Sequence, residues 1–97
     1  MADSNNHNSL PRFRIAPVFM FRWEESQQAF VLMYPEGIVK LNTTAGEILN
    51  RCNGLNTLND IVLELSELFS EQPDFIEPRV RQFLEVCHGK GWIQSES

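Results

Sequence analysis

From Val18 the chain reads VFMFRWE, in which Phe19, Phe21 and Trp23 alternate with Met20, Arg22 and Glu24. Alternation with a period of two predicts a strand buried on one face. The polar run EESQQ breaks the pattern, AFVLMY resumes it with Val31, Leu32 and Tyr34, and YPEG interrupts it again. Pro35 has the fixed φ that suits the second position of a turn, and Gly37 can take the left-handed conformation that closes a hairpin with a one-residue bulge. Beyond the turn, IVKLN alternates once more, with Val39 and Leu41 toward a core and Ile38 and Lys40 on the more exposed face.

At Asn42 the period changes from two to that of a helix. Asn42, Thr43 and Thr44 all have capping side chains, and Thr44 with Glu47 has the spacing of a capping box. The helix they open carries Ala45, Ile48, Leu49 and Cys52 on one stripe and stops at Gly54. Thr57 and Asp60 begin a second helix, whose stripe is Leu58, Ile61, Val62, Leu65, Leu68 and Phe69 and which ends at the Pro73-Asp74 punctuation. Asp74 or a neighbour caps a third helix, with Glu77 and Pro78 in its first turn and Val80, Phe83, Leu84 and Cys87 at i, i+3, i+4 and i+7. After HGKG, Trp92 and Ile93 fold back onto the core. The order is β-β-β-α-α-α, an α+β domain in which a three-stranded antiparallel sheet is followed by three helices packed on one face. Residues 1–11, rich in Asn and Ser, are expected to be a disordered tail, 12–93 the domain and 94–97 a C-terminal tail.

Composition leaves this picture intact. The chain has 97 residues, 42% hydrophobic and 22% charged, which suits one domain with one modest core. No apolar run approaches the length that spans a bilayer and the start lacks a signal-peptide core, so the expectation is a cytoplasmic protein without membrane contact. Cys52 and Cys87 lie outside any C-x-x-C spacing and on apolar helical faces. They read as buried thiols, with a disulfide or a reactive thiol as the alternatives. His7 and His88 are too poorly accompanied for a metal site.

Charge changes the picture more. Residues 1–41 balance four basic groups (Arg12, Arg14, Arg22, Lys40) against four acids, whereas residues 42–97 set four basic groups against nine acids. The acids Glu64, Glu67, Glu71, Asp74 and Glu77 are spaced as on a solvated helix face. No glycine-rich phosphate loop, G-x-S-x-G or zinc motif is present, so no catalytic residue and no cofactor is expected. A winged-helix DNA binder would fit the order of elements, but from Asn56 to Glu71 there are four acids and no Lys or Arg, which opposes phosphate contact. The remaining candidate feature is the edge of the small sheet, where GIVKLN carries a single charge, Lys40. Either Lys40 guards an idle edge, or the edge accepts an extended peptide as a further strand beside the third helix.

The run VLMYPEGIVKLNTTAGEIL, with RWEESQQAF before it and VRQFLEVCHGKGWI near the end, resembles the PqqD family of pyrroloquinoline quinone biosynthesis over roughly residues 10–93. That resemblance implies a non-catalytic peptide chaperone of the RiPP recognition element kind, for ribosomally made, post-translationally modified peptides. Its members bind the precursor peptide PqqA and present it to the radical SAM enzyme PqqE, which joins a glutamate to a tyrosine. It also implies a winged helix-turn-helix-like domain without DNA-binding work, whose peptide lies beside the third strand and against the last helix. Carried over, the backbone-pairing residues are Gly37, Ile38, Val39, Lys40 and Leu41, and the groove wall comes from Arg79, Val80, Phe83, Leu84 and Cys87. Periodicity does not decide which of these helix residues face the core and which the groove. Arg79 and Arg81 pair either with peptide acids or with their own neighbours. The same edge can pair with its own copy, giving a homodimer. The alternative function is a winged-helix regulatory or DNA-associated module.

Overall fold

The computed structural model describes residues 11–96. The elements are β1 (Arg12–Ile15), β2 (Met20–Glu24), a 3-10 turn (Glu25–Gln27), β3 (Ala29–Tyr34), β4 (Gly37–Lys40), α1 (Thr43–Asn50), β5 (Asn53–Thr57), α2 (Leu58–Phe69), α3 (Pro73–Gly89) and β6 (Ile93–Glu96). The α+β class and the three helices stand. The expected order of three strands followed by three helices does not, because among the described residues six strands form two antiparallel sheets, β2-β3-β4 and β5-β1-β6. No helix among the described residues is long and apolar enough to cross a membrane.

The hairpin sheet follows the alternation. β2 and β3 pair from Met20–Met33 to Glu24–Ala29, and β3 and β4 from Tyr34–Gly37 to Val31–Lys40. One face carries Phe21, Phe30, Leu32 and Val39 toward the helices, and the other carries Met20, Met33 and Ile38 abreast. Gly37 corrects an expectation. It pairs with Tyr34 as the first residue of β4 and keeps a negative φ, so the turn is the two residues Pro35 and Glu36, with no bulge.

Helix α1 is capped by Asn42, whose side chain accepts from the Ala45 N–H at 2.8 Å, so the Thr44–Glu47 box is not used. It ends at Asn50, and Gly54, which was expected to stop it, lies within β5 at φ +87°. Where α1 crosses β3, Gly46 lets the backbones approach: a Cβ there would stand 2.7 Å from Phe30 Cδ2. Helix α2 has the expected capping box, with Asp60 N–H donating to Thr57 Oγ1 and Thr57 N–H to Asp60 Oδ2. It ends at Phe69 on a left-handed Ser70, before Pro73, and Leu68 of its expected apolar stripe is exposed. Helix α3 starts earlier than expected, with Gln72 as its N-cap and Pro73 in the first turn. Pro78 therefore lies inside the helix and leaves the Asp74 carbonyl without its usual i+4 donor.

One core joins the layers: Leu32, Leu41, Ile48, Leu49, Ile61, Leu65, Val80, Leu84, Cys87 and Ile93 are all buried in it. Each side chain of this size contributes about 1.5–3 kcal/mol by leaving water. Trp92 and Ile93 do fold back, but the chain continues as strand to Glu96, past the expected boundary at Ile93. The expected disordered tail and His7 lie outside the described residues, apart from Pro11.

Candidate functional site

The hairpin sheet has two free edges, β2 and β4, and the ladder shows what β4 offers. The Leu41 N–H donates to the Phe30 carbonyl at 3.0 Å, which makes Phe30 and Leu41 a hydrogen-bonded pair. Such pairs alternate with non-bonded ones along an antiparallel ladder. In the observed register, Leu32–Val39 and Tyr34–Gly37 are then bonded, and Val31–Lys40 and Met33–Ile38 are not. The N–H and C=O groups of Ile38 and Lys40 therefore point away from β3, toward the open side. Of the five residues expected to pair with a peptide, Gly37, Val39 and Leu41 spend their backbone groups on the fold. Leu41 lies beyond β4 and is buried, whereas Ile38 is 55% exposed.

Lys40 borders a cavity of about 370 Å³ with Trp23, Phe30, Asn42 and Glu47, and a second cleft opens beyond the strand, at the start of α1. Thr44, four residues past Lys40, borders a cavity of about 310 Å³ that is otherwise lined by Leu65, Phe69, Glu71, Phe75, Ile76, Arg79 and Val80. Its walls are the end of α2 and the first half of α3. Phe75 is 49% exposed, and the Arg79 guanidinium stands 4.5 Å from the centroid of its ring. Residues four apart share one helix face, so this pair lies beside the buried stripe of Ile76, Val80, Leu84 and Cys87.

The expected groove wall divides accordingly. Arg79 and Val80 line this cleft, Val80 with its side chain in the core. Leu84 and Cys87 are also core, and Phe83 is half-buried against it. Cys87 and Phe83 do not reach the cleft, and Leu84 borders a different one. Sequence reasoning missed Phe69 and Phe75. Phe75 had a signal, since it sits one residue before Ile76 and so flanks the core stripe on the exposed side.

The larger cavity, about 560 Å³, lies at the other end of α3, among Phe13, Leu58, Arg81, Leu84, His88 and Ser95. β6 borders it, and its edge is also free. The Ala16 N–H donates to the Trp92 carbonyl at 2.8 Å, so by the same alternation Ile93 and Ser95 direct their backbone groups outward. Two nearby arginines are paired internally, Arg14 with Glu96 at 3.1 Å and Arg81 with Glu77, whereas Glu85 borders the cavity without an ion pair.

The thiols and the histidine among the described residues have the following surroundings. Burial pushes the Cys52 thiol up to about 12 and the Cys87 thiol up to about 11, so neither is a nucleophile near neutrality. His88 Nε2 lies 3.5 Å from Ser95 Oγ, at the long limit of a hydrogen bond. No group of three or more metal-ligating side chains occurs among the described residues.

The architecture thus defines a small α+β domain with open sheet edges set beside helix-walled clefts. The chain belongs to the PqqD family: the family described as Coenzyme PQQ synthesis protein D (PqqD) matches residues 29–93. A protein of Azotobacter vinelandii named PqqA binding protein is 44% identical over 87 residues, covering 90% of this chain and 91% of its own. A protein of the same name from Methylococcus capsulatus is 41% identical, covering 82% and 84%. Among solved structures, the fold is similar to the PqqD truncation of Methylobacterium extorquens PqqCD, described as a functional, stand-alone RiPP recognition element. The TM-score is 0.70 at 24% identity, over 84% of this chain and 87% of that one. The heterocyclase TruD contains a similar fold, with a TM-score of 0.65 at 23% identity, over 88% of this chain and 11% of TruD.

Proposed function

We propose that this protein is a non-catalytic peptide chaperone that binds the precursor peptide PqqA along β4 and presents it to the radical SAM enzyme PqqE in the cytoplasm. The single observation that carries the reading is the pair of outward backbone positions, Ile38 and Lys40, on an edge strand that runs into the start of α1, where Thr44 borders the apolar cleft of Phe69 and Phe75. An extended peptide added to β4 gains ladder hydrogen bonds from these positions and sends alternate side chains toward the cleft. The names of the curated relatives, which are PqqA binding proteins, support the identity of the peptide. The hairpin beside three helices is read as winged helix-turn-helix-like, with the wing edge serving peptide in place of nucleic acid. A homodimer paired through β4 would compete for the same groups.

The test is titration of the isotope-labelled protein with PqqA, followed through its amide resonances. The largest changes are expected at residues 38–40, Phe75 and Arg79. Changes confined to β6 and the larger cavity would move the site to the other end of α3. PqqE should cross-link PqqA more completely in the presence of the protein, and the protein alone should leave the peptide mass unchanged.

A further inference from the structure

The largest cleft plays no part in holding a peptide on β4. It measures about 560 Å³ and is walled by apolar groups of three elements, Phe13 of β1, Leu58 at the start of α2 and Leu84 of α3. It shares no lining residue with the cleft of Phe69 and Phe75, so the two can be filled at once. Of the two outward positions on β6, Ile93 is 2% exposed and covered, whereas Ser95 is exposed and borders the cleft. Its N–H and C=O can hold a chain in extended form.

The charge at the rim is one-sided. Glu77, Arg81 and Glu85 follow at four-residue spacing on one face of α3, so one cation stands between two acids. Arg81 pairs with Glu77, and Glu85 is left at the cleft without an ion pair among the described residues. The C-terminal end of α3 adds partial negative charge at the same place. Of the nearby bases, Lys90 holds its ammonium 5.7 Å over the Trp92 ring and His88 Nε2 is 3.5 Å from Ser95 Oγ. The complement of this rim is a cation beside an apolar side chain.

Taking β4 as the place of PqqA, we infer that this cleft docks the enzyme that receives the peptide. An extended segment of the enzyme inserts an apolar side chain between Phe13, Leu58 and Leu84, sets a Lys or Arg against Glu85, and bonds the Ser95 backbone. A carrier that presents its cargo has to hold two partners at once, and here the second partner meets the opposite end of α3 from the first.

Gly89 supplies the test. It lines the cleft with a negative φ, and a Cβ there meets nothing within 4 Å, so Gly89→Leu fills the cleft without strain. Fluorescence anisotropy measures labelled PqqA on the protein alone, and surface plasmon resonance measures PqqE on the protein loaded with PqqA. Gly89→Leu is expected to weaken PqqE binding about tenfold and Glu85→Lys roughly three- to tenfold, both with PqqA affinity unchanged. Glu67→Lys makes the same change of charge on the exposed side of α2 and should behave like the unaltered protein. Circular dichroism checks each variant, and should Gly89→Leu not fold, Glu85→Lys decides. If PqqE binds all variants alike, or Glu67→Lys weakens it as much as Glu85→Lys, the docking site is wrong and the β4 reading survives. If Gly89→Leu lowers PqqA affinity, the peptide itself occupies this cleft and both fail.

Discussion

The two sheets have three strands each and differ in where the strands come from. β2, β3 and β4 are consecutive and closed by short turns, whereas β1, β5 and β6 are gathered from residues 12, 53 and 93 onward. The hairpin sheet pairs strands that are close in sequence, and its open edge presents the backbone groups of Ile38 and Lys40. The terminal sheet costs long loop closures, is bulged between Arg12 and Arg14, and ties Arg14 to Glu96 and Gln94. Both sheets leave an edge open, but only the terminal sheet joins strands from the two ends of the described chain.

The strongest test of that division is to loosen the fastening. Ile93 is 2% exposed and in the shared core, so Ile93→Ala is expected to cost about 3–4 kcal/mol. The chain has two tryptophans, Trp23 in the hairpin sheet and Trp92 beside β6. Urea unfolding followed separately at each, in single-tryptophan variants, should give one coincident transition. Separated midpoints would make the terminal sheet an independent unit.

A smaller effect distinguishes neighbours within one strand. Val39→Pro removes an inward ladder bond and should cost about 2–3 kcal/mol, while Lys40→Pro removes an outward donor and should leave the melting temperature nearly unchanged. Peptide affinity should fall in Lys40→Pro despite the intact fold. Equal destabilisation by the two would mean that the assigned alternation is wrong. Backbone esters at residues 38–41 make the same comparison without changing side chains.

Gly46→Ala probes why the hairpin sheet can lie so close to α1. The new methyl would meet Phe30, whose ring is already held by Phe21 at 5.0 Å and Trp23 at 5.0 Å, so a loss of about 1–2 kcal/mol is expected despite the better helix propensity of alanine. A gain in thermal stability would show that Phe30 moves freely.

The smallest effect comes from pH and acts on the core common to both sheets. Cys52 and Cys87 are held protonated by burial, so the folded state binds their protons more tightly than the unfolded chain does. Their contribution is complete below pH about 9 and is lost as pH rises toward 11–12, about 1 kcal/mol per thiol by pH 10. Cys52→Ser and Cys87→Ser should each reduce this alkaline loss, read from urea midpoints at pH 8 and pH 10.

What could be read in advance follows the same division. The alternation of VFMFRWE and AFVLMY and the Thr57–Asp60 box declared their elements, because each signal is complete within a few residues. RFRI alternates over only four residues, NGLNT and IQSE are too polar to show a period, and the three become strands by meeting each other. The edge at residues 37–41 was legible as a place but not as two alternating sets, since register depends on the partner strand. On α3 the apolar period marked core and groove alike, and only the packing of α2 separated Val80 and Cys87 from Phe75 and Arg79.

The brevity of β4 sets a limit on how long any guest can stay. The strand ends where Asn42 turns the chain into α1, so its open side presents two donors and two acceptors and no more. At about 1 kcal/mol for each hydrogen bond made, the backbone alone holds a strand weakly, and side-chain anchoring has to supply the rest. Lengthening the edge would tighten the grip and slow the release that a carrier depends on.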